Sequence, residues 1–327
     1  GGDRGDIYNY APPANDVPVS EPTDVAVELL ENGPLRSRIR VTRGYRWPTA
    51  LSSDRDLRAS ETVSTPVETL LEVRAGEPFL RVAMSFLNRS ADHRLRWHLP
   101  LADGVTKSAA AGQFAVVERG LTAEGGWGEY PIPTFPAGSF VSSGAVTVLL
   151  EHATEYEVVG DELAITLLRA IGAISVNIHP YRDEPAAAEI PAPGAQDLGM
   201  RVENRFAILP SSAGWRDANA VALAEVFRND VLVARGSARY AGGLPPDATG
   251  IEVGGADIFV SSIRRVANGV EVRLVAMSDT GSTARITGAF TEVTTVDLLG
   301  RPLATTSVTN RLDLALGPWE IRTVVVQ

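Results

Sequence analysis

Apolar and polar residues alternate with a period of two along most of this chain, and β-branched residues fill many of the apolar positions. That pattern predicts strands over Val25–Leu30, Arg36–Tyr45, Val67–Val73, Phe79–Leu87, Arg94–Leu99 and Phe114–Glu118. It continues over Ala145–Leu150, Tyr156–Val159, Leu163–Leu168 and Val202–Leu209. Glycine, proline, asparagine and aspartate separate the runs, as in Ala75-Gly76-Glu77-Pro78, and Gly160-Asp161 reads as a tight hairpin turn. Only Trp215–Phe227 carries a helical period, with Trp215, Ala218, Ala222, Val226 and Phe227 on one face. Many strands without alternating helices make an all-β chain of antiparallel sandwiches, not a βαβ fold.

Two stretches break the pattern. Ala186–Gly199 is rich in alanine and proline and is expected to be a long loop across one sandwich. Tyr240–Gly250 crowds glycine and proline and is expected to separate a large domain, 1–245, from a small β-domain, 246–327. In the small domain the runs Ile258–Val266, Val270–Ala276, Ala284–Phe290, Thr294–Leu299 and Glu320–Val326 read as strands. Asn268-Gly269 and Leu299-Gly300-Arg301-Pro302 mark turns there.

Composition narrows the chemistry. The 327 residues are 44% hydrophobic, enough for a large core, and contain no cysteine. Disulfides, thiolate metal sites and cysteine nucleophiles are therefore excluded, and a reducing, cytoplasmic setting is favoured. A net charge of -10 argues against nucleic acid or an anionic membrane as partner. No run of about 18 apolar residues is available to span a bilayer. Lys107 is the only lysine, which leaves little scope for Schiff-base chemistry.

The four histidines, His93, His98, His152 and His179, stand in no metal-binding spacing. Glu155 and Glu157 share one strand face about 7 Å apart, as any exposed acidic strand would place them. Trp127 lies in a Gly-rich loop, Gly125-Gly126-Trp127-Gly128, and can either stack on a sugar ring or anchor the loop to the core. Asp6, Tyr8, Asn9 and Tyr10 crowd carboxylate, phenol and amide groups into one short stretch before Pro12-Pro13. Such a loop can bracket sugar hydroxyls, or it can simply be a polar turn. Its position suggests a chain taken from a longer protein. No nucleophile elbow, phosphate loop or dinucleotide fingerprint occurs.

Several of these stretches together resemble the C-terminal region of glycoside hydrolase family 38 α-mannosidases. They are Gly5-Asp6-Ile7-Tyr8-Asn9-Tyr10, Glu31-Asn32-Gly33-Pro34, Asp92-His93-Arg94-Leu95-Arg96, Trp127-Gly128-Glu129, Glu155-Tyr156-Glu157-Val158, Leu163–Gly172, Pro193-Gly194-Ala195-Gln196 and Pro318-Trp319-Glu320-Ile321-Arg322. The resemblance implies a large antiparallel supersandwich like that of galactose mutarotase, followed by a smaller β-sandwich domain. It implies a preceding catalytic domain that carries zinc and hydrolyses terminal α-mannosides with retention. No catalytic residue and no metal ligand would then lie in this chain. Tyr8 would contact substrate at the rim of the sugar site, with Asp6, Asn9 and Trp127 as companions. Glu155 and Glu157 become core and interface positions. The implied partners are the chain's own catalytic domain, mannose-containing glycans and, as a possibility, further copies of the chain. The alternatives are a free-standing carbohydrate-binding module and a mutarotase-like epimerase, the latter needing a His/Glu pair in the sandwich cleft.

Overall fold

The computed structural model describes residues 1–102, 104–211, 214–235 and 249–327. Most of the boundary expected at Tyr240–Gly250 lies outside the described residues. The chain divides into two compact units, one of residues 1–110 and 118–228, the other of 111–117 and 229–327.

The strands of the first part of the chain are β1 (Asp24–Asn32), β2 (Arg36–Pro48), β3 (Thr62–Arg74), β4 (Leu80–Leu87), β5 (His93–Pro100), β6 (Ser108–Ala111) and β7 (Val116–Arg119). They are followed by β8 (Thr134–Pro136), β9 (Phe140–Ser143), β10 (Val146–Leu150), β11 (Glu155–Val159), β12 (Glu162–Ala170) and β13 (Arg201–Pro210). In the first unit β1-β2-β3-β4-β13-β10-β9-β6 lie side by side in the larger sheet, and β5-β12-β11-β8 form the smaller one. The all-β, antiparallel sandwich read from the alternation is what forms. Gly160-Asp161 turns the β11–β12 hairpin, with Val159 opposite Glu162 and Gly160 at φ 57°.

Alternate residues of both sheets meet in one core. Val82, Val141, Val148, Leu150 and Phe206 pack against Tyr156, Leu163 and Ile165. The buried Tyr156 hydroxyl is satisfied by the Ser108 hydroxyl at 2.8 Å. In β12 a bulge between Thr166 and Leu168 changes the parity of the strand. Leu163, Ile165 and Leu167 join this core, while Leu168 and Ala170 join a second cluster with Trp47, Val67 and Phe86. Thr166 and Arg169 are thereby left on the outer face.

The single helix expected over Trp215–Phe227 is instead two, α1 (Gly214–Asp217) and α2 (Ala220–Arg228). Asn219 takes a left-handed φ of 52° between them, so one continuous face cannot form. Trp215, Ala220, Ala224 and Phe227 are buried, while Ala222 and Val226 of the expected face point outward.

The second unit is a small sandwich. Its strands are β14 (Glu252–Gly254), β15 (Ile258–Val266), β16 (Gly269–Ala276), β17 (Ser282–Thr287), β18 (Glu292–Val296), β19 (Pro302–Ser307), β20 (Arg311–Leu316) and β21 (Ile321–Val326). Sheet β14-β17-β20 faces β15-β16-β21-β18-β19 across a core that includes Leu274, Ile286, Phe290, Val293 and Val324. The strand expected to reach Leu299 ends at Val296, because the Asp297 carboxylate accepts the Leu299 and Arg301 N–H groups at 2.9 Å each and closes the turn.

Ala186–Gly199 is a loop holding one short 3-10 turn, Pro193–Gln196, as its lack of pattern predicts. Gln196 locks it to the β4–β5 connection. The Gln196 side chain receives the Asp92 N–H at 2.8 Å and donates to the Asp92 carboxylate at 2.9 Å. Asn88 donates to the Gln196 carbonyl at 2.9 Å and accepts from His93 Nε2 at 2.9 Å. His93 is thus a buried, neutral donor rather than a metal ligand. Burial, helped by the charge of Arg58, pushes its imidazole down to about 3. The unfolded chain takes up that proton near the ordinary pKa of about 6.5. Between those two values acid therefore favours unfolding, by about 1.4 kcal/mol for each pH unit of descent. Urea unfolding from pH 6.5 down toward 4 should show a steeper loss of stability in the native protein than in His93→Gln; parallel curves would place the titration elsewhere.

Candidate functional site

Residues 1–13 run across the outer face of the smaller sheet, held there by charge pairing. Asp3 is fully buried and accepts from Arg169 Nε of β12 at 2.8 Å. Its other oxygen accepts the Gly5 and Ala11 N–H groups at 2.9 and 3.2 Å, which folds the segment back on itself. Gly5 is required at this fold: a β-carbon there would lie 2.1 Å from the Asn9 carbonyl oxygen. The Tyr10 ring stacks on the Arg94 guanidinium of β5, 3.5 Å from ring centre to guanidinium carbon.

Between these anchors the loop closes around Asp6. Its carboxylate accepts the Tyr8 and Asn9 N–H groups at 3.1 Å each and the Val176 N–H at 2.9 Å, and it forms an ion pair with Arg182. Burial alone would push this carboxyl up; the hydrogen bonds from Arg182 and from the Asn9 and Val176 N–H groups outweigh it and hold the group below the usual carboxylate range. The Asn9 side-chain oxygen accepts from the same guanidinium at 2.9 Å. Tyr8, at the tip, keeps 52% of its surface exposed, beside the exposed Ile7.

Arg182 is the residue that the sequence reading missed. It is buried and touches Asp6, Asn9 and Ser175 at once. Nothing local marks it, since its partners lie up to 176 positions away. Its backbone also bridges to Glu129. Around that bridge the Asp183 N–H donates to the Gly128 carbonyl at 2.8 Å, and the Tyr130 hydroxyl donates to the Asp183 carboxylate at 2.7 Å. The segment 179–183 therefore braces two loops at once, the one bearing Tyr8 and the one bearing Trp127. Trp127 is fully exposed at a left-handed φ of 54° and does not anchor its loop to the core.

The expected site residues thus sort by exposure. Tyr8 and Trp127 present aromatic surface to solvent. Asn9 is half-buried with its amide oxygen committed to Arg182, and Asp6 has no exposed face. The carboxylate expected to bracket hydroxyls instead shapes the loop, because four donors converge on it from inside the fold. Glu155 and Glu157 do share the outer face of β11, where arginines neutralise them. Glu157 takes Arg94 at 3.1 Å and Arg96 at 2.7 Å, and Glu155 accepts from the Thr166 hydroxyl at 2.6 Å. His179 accepts the Tyr181 N–H at Nδ1, so its Nε2 carries the proton given to the Asn9 carbonyl at 3.3 Å. Among the described residues, no group of three or more His, Asp or Glu side chains converges to hold a metal. His98 and Glu162 form the one His/Glu contact recorded at the sandwich cleft among the described residues, 2.7 Å apart.

Known proteins match this architecture. Residues 262–324 fit the family model described as "Glycosyl hydrolases family 38 C-terminal beta sandwich domain". That segment resembles a family 38 C-terminal β-sandwich. The whole chain superposes on an α-mannosidase from Enterococcus faecalis with a TM-score of 0.80 at 19% identity, covering 100% of this chain and 38% of that one. A second Enterococcus faecalis structure, a glycosyl hydrolase family 38 protein, gives 0.78 at 19% identity and is 39% covered. A curated relative from Halalkalibacterium halodurans, named "Putative mannosylglycerate hydrolase", is 24% identical over 237 residues, which is 67% of this chain and 25% of that protein. The chain therefore corresponds to a quarter of that relative and less than two fifths of the two solved chains. The family 38 C-terminal region read from the sequence motifs is what these comparisons return.

Proposed function

We propose that this chain is the C-terminal, non-catalytic portion of a retaining, zinc-dependent α-mannosidase. The family 38 sandwich and the α-mannosidase likeness support that reading, and the observation that carries it is the Tyr8 loop. Every other polar side chain between Asp3 and Asn9 is spent on internal bonds, while the Tyr8 phenol stands exposed at the tip. A loop tied down at this density is a device for presenting one group. Zinc does not fit the residues described here, and in this reading its ligands and the nucleophile belong to a separate catalytic domain. The chain would then be silent by itself, would pack against that domain in the cytoplasm, alone or as a homo-oligomer, and would offer Tyr8 and Trp127 to mannose-containing glycans.

In the whole enzyme, Tyr8→Phe should lower kcat/KM on an α-mannoside about tenfold, equivalent to about 1.4 kcal/mol of lost transition-state stabilisation. Trp127→Ala should raise KM more than it lowers kcat, since a stacking platform holds ground state and transition state alike. Native kinetics in Tyr8→Phe would remove the phenol from the sugar site.

A further inference from the structure

A second recess, separate from the Tyr8 rim, opens where the free edge of β5 approaches the inner face of the larger sheet. Its volume is about 590 Å3, well inside the range of small-molecule sites. On β2 the residues Arg43, Tyr45 and Trp47 follow one another at every second position and so share the face that lines it. Trp97 lines it from β5. Among the described residues Arg43 makes no side-chain hydrogen bond or ion pair, although it is half-buried. Asp16 has one oxygen engaged by the Gly2 N–H at 2.8 Å, while the other is buried and without a hydrogen-bond partner. His98 gives its Nδ1 proton to Glu162, which leaves Nε2 as an acceptor and one carboxylate oxygen to spare.

An uncommitted guanidinium, an orphaned buried carboxylate oxygen and aromatic walls together describe a ligand. The guanidinium matches a carboxylate, which it can meet with two parallel hydrogen bonds. The orphaned oxygen and the His98–Glu162 pair match hydroxyls. The rings match the apolar face of a pyranose. We infer that this recess binds a monosaccharide carrying a carboxylate, a hexuronic acid, with Arg43 holding the acid group.

The test uses the complete protein and D-glucuronate, with D-glucose and acetate as comparators. The indole N–H signals of the five tryptophans report the location by NMR. Saturable binding of glucuronate should shift the signals of Trp47 and Trp97 and leave Trp127, Trp215 and Trp319 in place. Glucose and acetate should bind about tenfold more weakly, and Arg43→Gln should cost glucuronate about fivefold in Kd, the scale of one charge-assisted contact at a partly wet site. No saturable shift would overturn the assignment, as would shifts confined to Trp127 or equal binding of acetate. If Arg43→Gln fails to fold, the signal pattern in the native protein and the glucose comparison decide the matter alone.

Discussion

Replacing Arg182 with alanine is expected to cost about 3–5 kcal/mol, because it strips the only cationic partner found among the described residues from a carboxylate buried inside the fold. Asp6 is fully buried, and its remaining donors are the Tyr8, Asn9 and Val176 N–H groups. Those three hydrogen bonds do not neutralise the charge. The damage should also be local: the Tyr8 and Trp127 loops both hang on residues 179–183, so both should become early sites of proteolysis. Pairing Asp6→Asn with Arg182→Met should recover part of the stability, since no charge is then buried without its counter-ion. Urea unfolding of the single and the double variant beside the native protein measures this. An Arg182→Ala protein with native stability and uncut loops would mean that the brace is ornamental and that the Tyr8 loop is held by Asp3 and Arg169 alone.

Phe206→Ala should be of similar size, about 3–5 kcal/mol, for a different reason. Phe206 is fully buried on β13 and its ring centre lies 4.5 Å from that of Trp97 on β5. It is a point where the larger sheet and the smaller sheet touch, so truncation leaves a void between layers that the strands cannot close. Because the second unit has its own core, the loss should appear in one of two unfolding transitions and spare the other. A loss below about 1 kcal/mol would mean that the layers close over the site.

Much of this architecture was legible. Strands such as β2, β13 and β16 run for eight or more residues and alternate over part of that length, and such a period bounded by turn residues has one physical reading. Most of the strands that escaped notice are short or weakly patterned, although Arg311–Leu316 alternates cleanly and escaped as well. Ser108–Ala111 and Thr134–Pro136 are too brief to show a period, and Pro302–Ser307 is exposed throughout and has no buried face to betray it. The helix failed at one residue, Asn219, whose left-handed backbone no apolar period reveals. At the candidate site, composition pointed to residues 6–10 but gave the wrong orientation for Asp6. A carboxylate beside two tyrosines looks available until an arginine from a distant loop is seen to reach it. The neutralised pair Glu155 and Glu157 teaches the same thing from the other side, since Arg94 and Arg96 arrive from β5.

The bulge in β12 works like a corrected reading frame. Before it the odd-numbered side chains point into the sandwich, and after it the even-numbered ones do. Deleting Leu167 would take out the extra residue and leave Thr166, Leu168, Arg169 and Ala170 opposite the same partners on β5, so Arg169 would stay outside and keep its hold on Asp3. Straightening the strand with Leu167 still in place would do the opposite: Arg169 would turn toward the core and Ala170 toward solvent, and Asp3 would lose its anchor. The segment that carries Tyr8 can thus survive the loss of one codon in this distant strand, but not a slip of its register.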